Sequence, residues 1–312
     1  MPVKSLYLNQ LTESIQQKAL ELGFSGCGFS KAEKVEKKET DYVERWLSEK
    51  KHGTMSWLER NKDKRYDPRL LSEDAKSVIS VSYQYFTKKK APEHSKYIFS
   101  KYAYGKDYHF IIKERLKELL KFIEEKTGPR KARIFTDSAP VLERYWAQKA
   151  GLGFIGKNTC LINRKNGSFF FIGNIFIDLE LNYNTEISPN FCGTCTRCID
   201  ACPTSALQPF ELDAQKCISY LTIEYRGENI PAAFKHKMKN RVFGCDICQD
   251  VCPWNRNAPE HTEPAFEPSE QFLAVTDEQL ENMDKPLFKK LFRHTAAERA
   301  GFKQLKRNIE FI

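Results

Sequence analysis

Eight of the ten cysteines fall between Cys192 and Cys252, and their spacing constrains this chain more than any other feature. Cys192, Cys195, Cys198 and Cys202, followed by Pro203, form a C-x2-C-x2-C-x3-C-P run. That spacing wraps three thiolates around one iron–sulfur cube and sends the fourth to a second cube. The later run, Cys245, Cys248 and Cys252 before Pro253, lacks a leading cysteine, and Cys217 is available to supply it. The crossover assigns Cys192, Cys195, Cys198 and Cys252 to cluster one. Cys202, Cys217, Cys245 and Cys248 then form cluster two, and none of the eight is left over. Zinc favours paired C-x2-C knuckles and has no use for two C-x3-C-P endings. A disulfide framework needs an oxidising compartment, to which nothing in the chain points.

With 312 residues there is room for two domains, or for one large domain with an insert. Apolar residues at 41% and a mean hydropathy of −0.57 describe an ordinary globule. No apolar leader opens the chain and no run reaches membrane-spanning length. With thiols committed to clusters, a reducing cytoplasm is expected. The formal charge of +9 permits a polyanionic partner without requiring one.

Periodicity places a first helix over 9–22, with Leu11, Ile15, Ala19 and Leu22 inward, and an inner strand over 78–83. A longer helix carries Ile112, Leu116, Leu119, Leu120 and Ile123 in one stripe, with His109 at its entry on a packed face. Residues 133–136 read as a strand ending at Asp137, with Ser138 capping the next helix and Pro140 in its first turn. Asp137 would then face a helix N-terminus at a strand's carboxyl edge, where it can serve either as a cap or as a reactive group.

The glycines of 151–156 suit a backbone brought close to a large flat ligand, and Asn166-Gly167 signals a hairpin between strands at 159–162 and 169–177. Cys27 and Cys160 read as core residues. Residues 258–270 read as linker, and the segment from Thr276 as helical, with Lys289, Lys290, Arg293, Lys303, Lys306 and Arg307 solvated. The expected class is α+β: a mixed α/β domain over 1–180, a ferredoxin-like double-cluster domain over 181–258, and a linker with a helical segment over 259–312.

Two clusters store and pass electrons, but a carrier does not need the long α/β part ahead of them. The residues alone therefore point to a cluster-fed reductase, against the alternatives of a plain electron-transfer protein and a reductase of small halogenated or corrinoid substrates. Several blocks carry a resemblance: His52 to Arg60, Arg65 to Leu71, Tyr102 to His109, Asp137-Ser-Ala-Pro-Val-Leu-Glu-Arg144, Lys149 to Thr159, and Cys245 to Asn255. Together they resemble epoxyqueuosine reductase over almost the whole chain.

The resemblance implies a cobalamin domain similar to nitroreductases and reductive dehalogenases, with no protein ligand to cobalt, beside two [4Fe–4S] clusters. It implies reduction of the epoxide of epoxyqueuosine in the anticodon of tRNA to queuosine, an external low-potential electron donor, and no membrane partner. A monomer is expected. Asp137 matches the family's proton donor. By position in the family pattern, Arg60, Ser100, Asp137, Lys157, Asn158, Ser219, Thr222, Cys245 and Asp246 are the expected cobalamin contacts. Longer relatives continue into helical repeats past the point where this chain stops at Ile312.

Overall fold

The computed structural model describes every residue except Met1 and Thr185, with side chains described from Leu6 onward. The chain runs α1 (Pro2–Glu21), β1 (Gly26–Lys31), β2 (Ser77–Gln84), β3 (Ile98–Phe99), α2 (Tyr108–Thr127), β4 (Ala132–Phe135), α3 (Glu143–Lys149), β5 (Phe154–Ile155), β6 (Leu161–Ile162), β7 (Phe170–Ile177), α4 (Ile218–Ile223), β8 (Arg241–Phe243), α5 (Lys285–Phe292) and α6 (Phe302–Phe311), with short helical turns between them.

β2 is buried at every position because both faces of its sheet are covered. The antiparallel order is β1-β2-β7-β4, with Val81 opposite Gly173 and Ile79 opposite Ile175. On one face Ile79, Val81, Ile175 and Ile177 meet Leu11, Ile15 and Ala19 of α1 and Ile112, Leu116 and Leu119 of α2. Val78 and Phe176 point the other way, onto Tyr145 and Trp146 of α3. The period of two along the strands thus feeds two cores, and the helical stripes read in the sequence are the ones that fill the first. The carboxyl ends of β2 and β4 and the start of β7 lie at one end of this sheet.

A second core joins distant segments. β3 pairs in parallel with β8, and Phe99, Val242 and Phe243 pack with Phe272, Phe288, Phe292, Leu305 and Ile309. The stretch at 258–270 is packed rather than a free linker. Ala258 and Phe266 belong to the first core, and Glu263 accepts from Tyr83 Oη at 2.7 Å. Arg307 is also not solvated. Its guanidinium donates to the carbonyls of Tyr225, Gly227 and Leu221 at 2.6–3.0 Å.

Asn308 is fully buried and donates through Nδ2 to Thr222 O at 2.8 Å and Val242 O at 2.9 Å. Asn308→Ala should therefore cost about 2–4 kcal/mol through stranded carbonyls and a cavity. Urea titration should show a lowered midpoint with an unchanged slope. A midpoint equal to wild type would mean that α6 does not brace α4 and β8.

Local chemistry differs from expectation in two places. β6 pairs with β5 rather than with β7, and the 163–167 turn is closed only by an isolated bridge between Asn163 and Gly167. A Cβ on Gly153 would lie 2.3 Å from Ile162 O, so this glycine admits β6 against its own chain and not a ligand. The segment from Asp137 to Leu142 is an irregular loop. α3 begins only at Glu143, and no side chain caps it. Neither Ser138 nor Pro140 has the expected role, and Asp137 does not face a helix N-terminus.

Candidate active site and thiol quartets

Asp137 leaves the end of β4 with φ of +50°, in the left-handed region that Asp and Asn tolerate best among non-glycine residues. Its backbone N–H donates to Glu143 Oε1 at 2.8 Å, so the carboxylate of α3's first residue holds the loop. The Asp137 side chain is 65% exposed, projecting from the sheet end. Behind it, the Tyr108 hydroxyl donates to Asp137 Oδ2, and His109 Nε2 stands 3.7 Å from the same oxygen.

Both residues open α2, where Asp107 is the N-cap. The Tyr108 ring is fixed by stacking on Phe171 of β7, with centroids 4.1 Å apart and planes 5° from parallel. Asp107 Oδ1 lies 2.6 Å from His109 Nδ1, and Arg299 Nη1 lies 2.7 Å from His109 Nε2. A guanidinium can only donate, so Nε2 accepts from Arg299 and Nδ1–H faces Asp107. Both nitrogens of this imidazole are engaged.

Burial, and then the charge of Asp137, push the Glu143 carboxyl up to about 8. Burial also raises the phenol of Tyr108, with Asp137 adding to the shift. Tyr102 lies within the field of Asp137, Asp246, Glu224 and Arg299, and burial lifts Glu224 above the ordinary carboxylate range. Tyr108, His109, Glu143, Glu224 and Arg299 thus surround Asp137 with proton-holding groups of both signs.

The Glu143 shift carries a pH dependence of stability. Its folded value exceeds the unfolded one, so its contribution is fully present below the unfolded carboxylate range and is lost as pH rises through about 8. Glu143→Gln keeps an acceptor for the Asp137 N–H and removes the titration. Melting temperature should then fall less for Glu143→Gln than for wild type between pH 6 and pH 9, values that bracket the shifted group. Parallel curves would remove Glu143 as the titrating group.

The cysteines gather into two sets. Cys192, Cys195, Cys198 and Cys252 line one cavity of about 180 Å³. Cys217 lies in the field of Cys202, and Cys248 in the fields of Cys217 and Cys245, giving the second set. Among the described residues, no three His, Cys, Asp or Glu side chains converge as ligands of one ion would.

Backbone donors already face sulfur, among them Lys157 N–H toward Cys192 Sγ and Ala206 N–H toward Cys202 Sγ, each at 3.4 Å. The buried Nδ2 of Asn158 has no partner and borders the same cavity, as a donor to a cluster sulfide would. Burial pushes the Cys198 thiol up to about 11 and the Cys245 thiol up to about 12. All ten cysteines are free of disulfides.

The residues expected around a corrin divide into three groups. Lys157 and Asn158 line the cluster-one cavity, where the Lys157 ammonium donates to Gly193 O at 2.7 Å and Cys195 O at 3.1 Å. Ser100, Thr222 and Asp246 form an internal knot behind Cys245. Ser100 Oγ donates to Asp246, Asp246 accepts from Lys101 N at 2.9 Å, and Thr222 Oγ1 accepts from Gly244 N at 3.0 Å. Arg60, Ser219 and Asp137 keep outward-facing polar groups, with Arg60 exposed and Ser219 half-buried.

Cys160 is not the plain core residue expected. Its thiol is hydrogen-bonded to Cys248 and lies in the field of Cys217 and Cys252, between the two sets. Glu143, Tyr108 and His109 stood inside motifs visible in the sequence but were not singled out as chemistry. Nothing near Arg299 or Glu224 in the sequence signals their place.

No helix among the described residues is long and apolar enough to cross a membrane. Residues 191–255, which contain both thiol sets, match the family described as "4Fe-4S double cluster binding domain". Residues 65–138 match the family described as "Epoxyqueuosine reductase QueG, DUF1730". The epoxyqueuosine reductase of Cellulophaga algicola is 47% identical over 96% of this chain and 97% of its own length. That of Leadbetterella byssophila is 48% identical over 98% and 99%.

A solved epoxyqueuosine reductase bound to an epoxyqueuosine-modified tRNA-Tyr stem loop superposes with a TM-score of 0.88 at 31% identity, covering 97% of this chain and 81% of that one. The Bacillus subtilis enzyme, solved with its catalytic aspartate loop swung out of the active site, superposes at 0.84 with 31% identity over 97% and 81%. With identity near one half over nearly the whole of both partners, the chain belongs to the epoxyqueuosine reductase family.

Proposed function

We propose that this chain reduces the epoxide of epoxyqueuosine in tRNA to give queuosine, with Asp137 as proton donor. The observation that carries the reading is that a chain 48% identical to one of these enzymes over 98% of its residues combines two thiol quartets with an outward-facing Asp137 held by Tyr108 beside His109. Removing an epoxide oxygen as water takes two electrons and two protons. Bound cobalamin would supply reducing power at the epoxide carbon, and the two clusters would deliver electrons to it singly.

The residues present fit a corrin without a protein ligand to cobalt, because the imidazole beside Asp137 is held on both nitrogens by Asp107 and Arg299. Arg60 and Ser219 would contact the corrin side chains. The knot of Ser100, Thr222 and Asp246 would set the backbone at Cys245. Lys157 and Asn158 instead support cluster one.

Asp137 gives its proton to the departing epoxide oxygen. The hydroxyl of Tyr108, bonded to the same carboxylate, stabilises the anion left behind and is placed to restore the proton. Glu143, neutral near pH 7 by its raised value, keeps the Asp137 backbone in its left-handed turn. Arg299 and Asp107 fix the ring of His109 so that it fills the space behind the carboxylate without competing for it.

The enzyme acts as a cytoplasmic monomer, in keeping with ten free cysteines, and sedimentation of the holoenzyme checks the monomeric state. The deciding experiment is anaerobic: cobalamin titration of the cluster-loaded protein, then turnover of epoxyqueuosine tRNA under a chemical reductant. Corrin binding without turnover would leave a carrier, and equal turnover of the free nucleoside would leave a small-molecule reductase.

The tRNA is held largely by phosphate contacts, through lysines and arginines such as Lys88, Lys89, Lys237, Arg241, Lys303 and Lys306. Each contact removed should lower the log–log salt slope of binding by roughly 0.7–0.9 units. Filter binding across a salt series reads this directly, and a flat series would exclude these side chains.

A further inference from the structure

The cluster-one cavity opens to the surface, and its rim is basic. Cys192, Cys195 and Cys198 are only half-buried, and Phe191, Pro253 and Trp254 give the cavity an apolar wall. A second, more open depression of about 610 Å³ adjoins it across Cys252 and Pro253, with Arg197 and Arg256 on its edge. Arg164 lies over the Phe191 ring, 4.6 Å from its centroid. Arg164, Arg197 and Arg256 are exposed, and none of them enters an ion pair among the described residues. The two carboxylates on this rim are already engaged: Asp250 accepts from Lys101 Nζ at 2.8 Å, and Asp200 accepts from Thr196 Oγ1 at 2.7 Å.

On the other side, Cys217 of the second set opens α4, and Asp246, next to Cys245, shares the field at Tyr102 with Asp137. A carrier docked on this open cavity faces the thiols of cluster one directly. We propose that this arginine-rimmed recess is the docking surface for an acidic, one-electron carrier protein that reduces cluster one. The inference rests on the reductase reading only in needing cluster one to be loaded.

A redox carrier is favoured over tRNA phosphates because the arginines ring an apolar recess floored by thiols, not a continuous groove. Encounters between redox proteins are small, weak and steered by charge, which suits three unpaired guanidinium groups around an apolar centre. One electron leaves the carrier's metal centre and enters cluster one. No bond forms or breaks, and no proton moves.

The test uses cluster-loaded protein, a reduced plant-type [2Fe–2S] ferredoxin as probe, and the double variant Arg164→Glu, Arg256→Glu. Neither position bonds to a cysteine or to the Asp137 network. The second-order rate of cluster bleaching by ferredoxin should fall at least roughly tenfold, and its dependence on salt should flatten or invert. Ferredoxin affinity measured by calorimetry should fall with it. Bleaching by reduced methyl viologen, iron content and tRNA affinity should stay at wild-type levels.

Unchanged ferredoxin kinetics would overturn the proposal. So would a loss of tRNA affinity with ferredoxin kinetics intact, which would assign the rim to the substrate. Because bleaching is read without tRNA or cobalamin, failure of the epoxide reading would appear separately, as bleaching without turnover.

Discussion

Asp137→Asn should keep the fold, both clusters and corrin binding while losing turnover by roughly 10²–10⁴-fold, the usual range for a general acid. Asn tolerates the left-handed backbone at this position about as well as Asp does. Its N–H can still donate to Glu143, and its carbonyl oxygen can still accept from Tyr108. What disappears is the transferable proton.

The helix-dipole effect expected at Asp137 does not operate, because an irregular loop separates it from α3. The side chain is 65% exposed, so it is open to whatever docks against the sheet end. Single-turnover kinetics on epoxyqueuosine tRNA read the loss. A rate near wild type would make Asp137 a structural residue and move the acid role to Tyr108 or Glu143.

Cys217→Ser should remove cluster two and halve the iron content, with turnover lost altogether. Cys217 is the ligand that no local run supplies, since it reaches the second set across the insert from the start of α4. Cys160→Ser is the informative control. Its thiol touches Cys248, yet both quartets are complete without it, so iron content should be unchanged. A hydrogen bond to a cluster sulfur tunes potential, so the reduction midpoint of cluster two should still move. Cys27→Ser, buried in β1, should alter neither. Loss of a whole cluster in Cys160→Ser would overturn the ligand assignment.

The double-cluster module was legible because cysteine spacing in such a module is a local property, with only Cys217 standing apart from the two runs. The sheet was legible for a similar reason: β2 and β7 are long apolar runs with both faces covered, and the stripe of α2 has one regular period. The second core was not. β3 is two residues long and its partner β8 lies far along the chain, so no local pattern announces the pair.

The loop after β4 was misread because Ser138 and Pro140 are good helix-start residues, but the left-handed Asp137 and its bond to Glu143 hold the segment out of the helix. Arg299 was invisible because its function depends entirely on where the second core carries it. Arg307 reads as a surface residue, and the carbonyls of Leu221, Tyr225 and Gly227 draw its guanidinium into a half-buried place.

The parallel pairing of β3 with β8 also sets an order of events during synthesis. Ile98 and Phe99 leave the ribosome well before Arg241 to Phe243 exist, and at roughly 5–20 residues per second the wait is on the order of ten seconds. The aromatic cluster that receives Phe99 comes later still, with Phe272 and Phe292. The first sheet can close on its own segments, whereas the wall that brings Arg299 to Asp137 cannot. Nascent chains should therefore pass through a stage with a finished sheet and an open active site, and holdase chaperones would find their target in the strand around Phe99.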